Sequence, residues 1–187
     1  MSDQSPKRLA GTLQLFIEIV RMRRGPHDLP FDPSLLRATV LAYGLLQLAV
    51  GLLLPGEKVP AVAMVLVDIV LTLVTLRWLL RLAGKPERFV QTATAIFGCH
   101  FVLAPVLLLV AWLFLRYGGA DGDWQAPVLI LTFAVGVWVL MIAARILRSA
   151  TEWPMVACVA AILALEMLTR LVLVLLFPQL LTTPTQT

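Results

Sequence analysis

The chain has 187 residues, 60% of them hydrophobic and 14% charged, with a mean hydropathy of +0.91. An ordinary soluble domain is roughly 45–50% apolar and about 25% charged, so a water-soluble globule is excluded. The net charge of +4 does not point to nucleic acid, because the basic residues are divided among short segments instead of forming one basic face.

Residues 9–22 place Gly11, Gln14, Glu18 and Arg21 on one helical stripe and Leu9, Leu13, Phe16, Ile17 and Val20 on the other side, which predicts an amphipathic helix. Arg21, Arg23 and Arg24 stand at its end. The helix is therefore expected to lie flat on the cytoplasmic headgroup layer, with these arginines in contact with anionic lipid. Packing beneath the span bundle is the alternative. Gly25-Pro26 is expected to stop it, and Asp32 followed by Pro33 reads as the N-cap and first residue of the next helix. The first 34 residues hold no apolar core followed by a cleavage site, so the first span is expected to target the protein.

Five apolar stretches follow, at 35–54, 61–80, 89–115, 128–147 and 155–177, each at the ~20 residues that a helix needs to cross a bilayer. The fold class expected is an all-α integral membrane protein, with five transmembrane helices preceded by the amphipathic interfacial helix. Residues 1–34 form a cytoplasmic segment, 35–177 one membrane domain, and 178–187 a tail outside the cytoplasm. Orientation comes from the basic residues. Lys7, Arg8, Arg21, Arg23, Arg24, Arg37, Arg77, Arg81, Lys85, Arg88, Arg145 and Arg148 fall on one side, against Lys58 and Arg116 on the other, which sets the N-terminus in the cytoplasm and the C-terminus outside. Trp78 and Trp153 fall near inner ends, Trp112 and Trp124 near outer ones, and Trp138 within a span. The location expected is a bacterial inner membrane, a bacterial source being suggested by arginine far outnumbering lysine.

Pro55-Gly56, Pro60 and Gly84-Lys85-Pro86 punctuate the spans, and short turns imply antiparallel neighbours. Pro105 within the third span is expected to free the Phe101 carbonyl and kink the helix. The acidic loop around Asp121 and Asp123 reads as solvated rather than as a cation site.

Four ionisable residues lie inside the spans: Asp68, His100, Glu166 and Arg170. Such groups require partners or a wet cavity. Glu166 and Arg170 are four apart on one helix, a spacing that permits pairing, and Asp68 lies at similar depth. The three are expected to face the protein interior, as a polar clasp or as the lining of a proton or substrate path. His100 beside Cys99 has no second ligand pair, so a hydrogen-bonded core histidine is expected there. Ala157, Ala160, Ala161 and Ala164 form a small-xxx-small face on the fifth span, suited to a partner helix. Gly44 and Gly51 offer another seam. Cys99 and Cys158 lie at different depths and are expected to remain free.

No phosphate loop, dinucleotide fingerprint or nucleophile elbow occurs. No catalytic residue, metal or cofactor is expected. Three further segments stand out: Thr92-Ala93-Thr94-Ala95-Ile96-Phe97-Gly98 leading to Pro105, the run from Val137-Trp138 through Ala144-Arg145, and the linker Gly25-Pro26-His27-Asp28-Leu29-Pro30. With five spans and a cytoplasmic N-terminus, this arrangement resembles the Yip domain family, the Ypt-interacting proteins and their bacterial relatives. For eukaryotic members the resemblance implies membrane trafficking and binding of small prenylated GTPases; for the bacterial branch it implies an integral membrane protein only. The function expected is a non-catalytic scaffold or partner-binding component, in contact with membrane lipids and with another membrane protein or a second copy. The alternative is a small transporter or channel using Asp68, Glu166 and Arg170.

Overall fold

The computed structural model describes residues 5–53, 61–118 and 124–177. Among these residues the fold is all-helical: α1 Ser5–Val20, α2 Pro33–Leu53, α3 Ala61–Leu82, α4 Phe89–Tyr117, α5 Gln125–Thr151 and α6 Met155–Leu176. From α2 onward the five helices are long and apolar enough to cross a membrane. Pro55, Gly56, Lys58, Pro60, residues 119–123 with Asp121 and Asp123, and the tail at 178–187 lie outside the described residues.

Local chemistry sets the boundaries. Asp32 Oδ1 accepts hydrogen bonds from the Ser34 amide at 2.8 Å and the Ser34 hydroxyl at 2.7 Å, so Asp32 caps α2 just ahead of Pro33. Those bonds, the side-chain one first, hold its carboxyl below the usual carboxylate range. The first helix stops earlier than Gly25-Pro26 would dictate, because Met22 takes a left-handed φ of 59° and its amide turns back to Ile19 at 2.8 Å. A 3₁₀ turn over Pro26–Asp28 follows. At Gly84 the φ of +70° closes the turn between α3 and α4, a conformation that costs glycine nothing. The fourth helix runs unbroken through Pro105.

Burial is concentrated at one end of the bundle. Leu76, Leu79 and Leu80 near the end of α3, residues 92–99 at the start of α4, Ile142, Ala143, Ala144, Ile146 and Leu147 late in α5, and Cys158 and Ile162 early in α6 are buried. Because consecutive spans run antiparallel, all these segments lie at the end that carries the turn Ala83–Lys85 and the α5–α6 corner. The opposite halves of α5 and α6 are largely exposed, with Phe133 74% and Met167 70% accessible. The helices are thus tightly packed at one end and open at the other. With 29 residues, α4 is about 43 Å long at ~1.5 Å per residue, and it packs against α1, α2, α3 and α5 as the central element.

The packed end includes α1. Phe16, Ile19 and Val20 enter the same core cluster as Leu80, Ala95 and Leu147. Phe16 lies over Gly98 of α4 so closely that a Cβ there would come within 2.3 Å of the Phe16 ring. The Cys99 thiol approaches the Phe16 carbonyl at 4.0 Å. This segment thus packs against α4 of the bundle, while Leu13 and Ile17 stay exposed. A stripe of apolar residues serves a helix neighbour as well as a lipid surface, and the glycine opposite Phe16 supplies the close approach.

Polar groups at this end are satisfied locally. The buried Thr92 and Thr94 hydroxyls donate to the carbonyls of Arg88 and Val90, each at 2.7 Å. Gln91 reaches across to the Leu29 carbonyl at 2.7 Å. Arg88 donates to the Ser149 and Ala150 carbonyls at the C-terminus of α5, both at 3.2 Å, and to Glu152 at 3.0 Å. A guanidinium suits the unpaired carbonyls and partial negative charge of a helix end. Glu152 sits in the left-handed region at φ 63°, costing roughly 1–2 kcal/mol for a residue with a Cβ; ion pairs with Lys85 and Arg88 oppose that cost.

Candidate functional site

Between the packed and open halves lies a cavity of about 490 Å3, with walls from α2 to α6. Its volume falls within the roughly 300–1,000 Å3 range of small-molecule sites. Its lining is apolar except for Tyr43, Asp68, Thr72, His100 and Glu166. The inner wall is made by buried Tyr43, Ile96 and Phe97, with half-buried Asp68, Thr72 and His100. The exposed lining residues are Phe133, Gly136 and Val137 on α5 and Leu163 and Glu166 on α6. The accessible side of the cavity is therefore the one that α5 and α6 provide.

The polar wall is built in two steps. On α2, Tyr43 and Gln47 are one helical turn apart; on α3, Asp68 and Thr72 repeat the spacing, so each helix presents a short polar stripe. The Tyr43 hydroxyl donates to Asp68 Oδ2 at 2.8 Å and accepts from Gln47 Nε2 at 3.1 Å. Gly44 faces α3, where an added Cβ would stand in ordinary van der Waals contact with Ile69 at 3.4 Å. The Tyr43 ring is then held between Phe97 and His100 of α4, at centroid distances of 5.3 and 5.9 Å.

Of the four intramembrane residues singled out from sequence, Asp68, His100 and Glu166 line this one cavity. Arg170 does not line it and is exposed, and among the described residues no ion pair joins it to Glu166. Four residues advance a helix by a full turn and about 40°, which carries Arg170 beyond the cavity lining toward the open end. On the alanine face of α6, Ala157 and Ala161 are half-buried and Ala160 and Ala164 exposed. Arg21, Arg23 and Arg24 are all exposed, and Arg24 pairs with Glu18 at 2.5 Å. The cysteines Cys99 and Cys158 are buried and free. Among the described residues no three His, Cys, Asp or Glu side chains group as metal ligands do.

Tyr43, Gln47 and Thr72 escape a reading of ionisable groups alone. The signal that finds them is the four-residue spacing of Tyr43 with Gln47 and of Asp68 with Thr72 inside apolar runs.

Two acidic side chains and no lysine or arginine reach the cavity. An ionised carboxyl in so apolar a setting calls for a positively charged partner or hydrogen-bond donors. The arrangement suits a molecule with an apolar body for the aliphatic and aromatic walls and a cationic head for Asp68 and Glu166.

Comparison with family models, with curated proteins and with solved structures finds no match to this chain. The resemblance to the Yip domain family gains no support from these comparisons.

Proposed function

We propose that this protein binds an amphipathic organic cation taken from the membrane and acts as a small transporter for it. The single observation that carries this reading is the cavity walled by α2 to α6, which gathers Asp68, His100 and Glu166 within apolar walls and has its exposed lining on α5 and α6. Access from that side admits a ligand already dissolved in lipid. The protein acts without covalent chemistry, by offering acidic groups to a cationic head. The reading places the chain in a bacterial inner membrane with the packed, arginine-rich end in the cytoplasm, an orientation that the distribution of basic residues along the sequence supports.

The test is equilibrium binding of tetraphenylphosphonium to the full chain in lipid nanodiscs. Saturable binding that falls about tenfold or more in Asp68→Asn and in Glu166→Gln supports the reading, since each removes a charge contact worth ~1.5 kcal/mol or more. Binding unchanged in both variants would overturn it.

A second reading, a scaffold that binds another membrane protein or a second copy, is favoured by one observation. The exposed Ala160 and Ala164 on α6 are small residues at the spacing that permits a partner helix to approach closely. A photoreactive residue at Ala160 that crosslinks one defined protein supports this reading; crosslinks to lipid alone count against it.

A further inference from the structure

A separate cleft of about 260 Å3 lies at the packed end, where the segment after α1 meets the last turns of α5. Ile19, Ile142 and Ile146 form an apolar floor, and Arg23, Arg24, Arg145 and Ser149 line it as polar groups. The three isoleucines are buried in the core and the three arginines exposed.

The charges in this cleft are unequally engaged. Arg24 is held by Glu18. Asp28, the carboxylate in the lining, accepts the Gly25 amide at 3.1 Å and stands 3.8 Å from His27. Among the described residues neither Arg23 nor Arg145 takes part in an ion pair. Two uncommitted guanidiniums thus share a cleft whose floor is hydrocarbon. Guanidinium forks match phosphate oxygens in geometry and remain charged at all relevant pH.

Position selects the source of the anion. Arg145 stands about 9 Å from the end of α5 at ~1.5 Å per residue, close enough for its long side chain to extend to the headgroup layer of any membrane this helix crosses. Basic pockets between spans at that level suit anionic lipid headgroups. From this juxtaposition we infer that the cleft is a binding site for the phosphodiester headgroup of an anionic phospholipid, with Arg23 and Arg145 on the phosphate and the isoleucine floor under the glycerol and upper acyl chain. The lipid joins the end of α1 to α5 and so secures the docking of α1 on the bundle. This inference shares the membrane reading with the proposed transport but is independent of the cavity, so either can fail alone.

The experiment is thermal unfolding of the full chain in a neutral detergent, titrated with phosphatidylglycerol, phosphatidylcholine or glycerol 3-phosphate. The site predicts a saturable rise in Tm with phosphatidylglycerol, and little or none with the other two at equal concentration. Arg23→Gln and Arg145→Gln each raise the phosphatidylglycerol concentration needed about tenfold, whereas Arg116→Gln, an equal charge loss at the far end, leaves it unchanged. An equal response to phosphatidylcholine would overturn the inference as general lipid solvation, and an equal response to glycerol 3-phosphate would reassign the cleft to a soluble anion. A titration that Arg116→Gln shifts as much as Arg145→Gln would reduce the effect to net charge.

Discussion

The Tyr43 hydroxyl donates a 2.8 Å hydrogen bond to Asp68 Oδ2, joining α2 to α3 at the wall of the cavity. The same hydroxyl accepts from Gln47, so one tyrosine engages two polar side chains, Asp68 on the cavity wall and Gln47 one turn away on α2. Removing the hydroxyl as Tyr43→Phe keeps the ring between Phe97 and His100 and strips Asp68 of its donor. The expected loss is ~1–3 kcal/mol, seen as a lower Tm in detergent. Gln47→Leu, which leaves the Asp68 contact intact, is expected to cost less, about 0.5–1.5 kcal/mol. Equal effects from the two variants would show that the Asp68 contact has no special weight.

Docking of α1 depends on the absence of a side chain at Gly98. A Cβ there meets the Phe16 ring at 2.3 to 2.7 Å, and that ring, 4% exposed, has nowhere to retreat. Gly98→Val is expected to cost about 1–3 kcal/mol through overpacking and to lift α1 from α4. Cys99, 2% exposed beneath α1, reports the event: its thiol resists maleimide in the native protein and reacts in Gly98→Val. Phe16→Ala in the same chain is expected to restore Tm partway while leaving Cys99 reactive.

The corner between α5 and α6 carries a pH dependence. Hydrogen bonds from Lys85, then Arg88, hold the Glu152 carboxyl below its ordinary value of 4.5. A carboxyl whose value is lowered by folding adds stability that is fully present above the unfolded value and disappears as pH falls through the folded one. The native chain is therefore expected to lose Tm between pH 5 and pH 3 more steeply than Glu152→Gln, with the gap between the two widest near neutral pH. Parallel Tm curves over that range would contradict the assignment.

The positions of the spanning helices are legible in the amino-acid order because long apolar runs are bounded by proline, glycine and arginine. The fifth helix departs from that reading and ends at Thr151 instead of 147: Arg145 and Arg148 end the apolar run, yet the helix continues to where Arg88 meets its last carbonyls. The docking of α1 is not legible from residues 9–22 alone, since their apolar stripe suits a lipid surface and a helix neighbour alike. The close contact with α4 rests on Gly98, distant in sequence and ordinary in composition. Asp68, His100 and Glu166 stand out as costly residues for a bilayer, but their convergence on one cavity, with Arg170 outside it, depends on helix rotation and splay that spacing does not set.

The most direct test of the central claim closes the accessible side of the cavity while sparing its charges. Gly136 on α5, where an added Cβ meets nothing within 4 Å, and Leu163 on α6 both belong to the exposed lining of the cavity. The measurement is tetraphenylphosphonium binding to the native chain and to the Gly136→Trp, Leu163→Trp double variant, in matched nanodiscs. The account predicts saturable binding to the native chain and its loss in the double variant, with the Tm of the variant retained. Binding that survives the two tryptophans in a folded protein would contradict it.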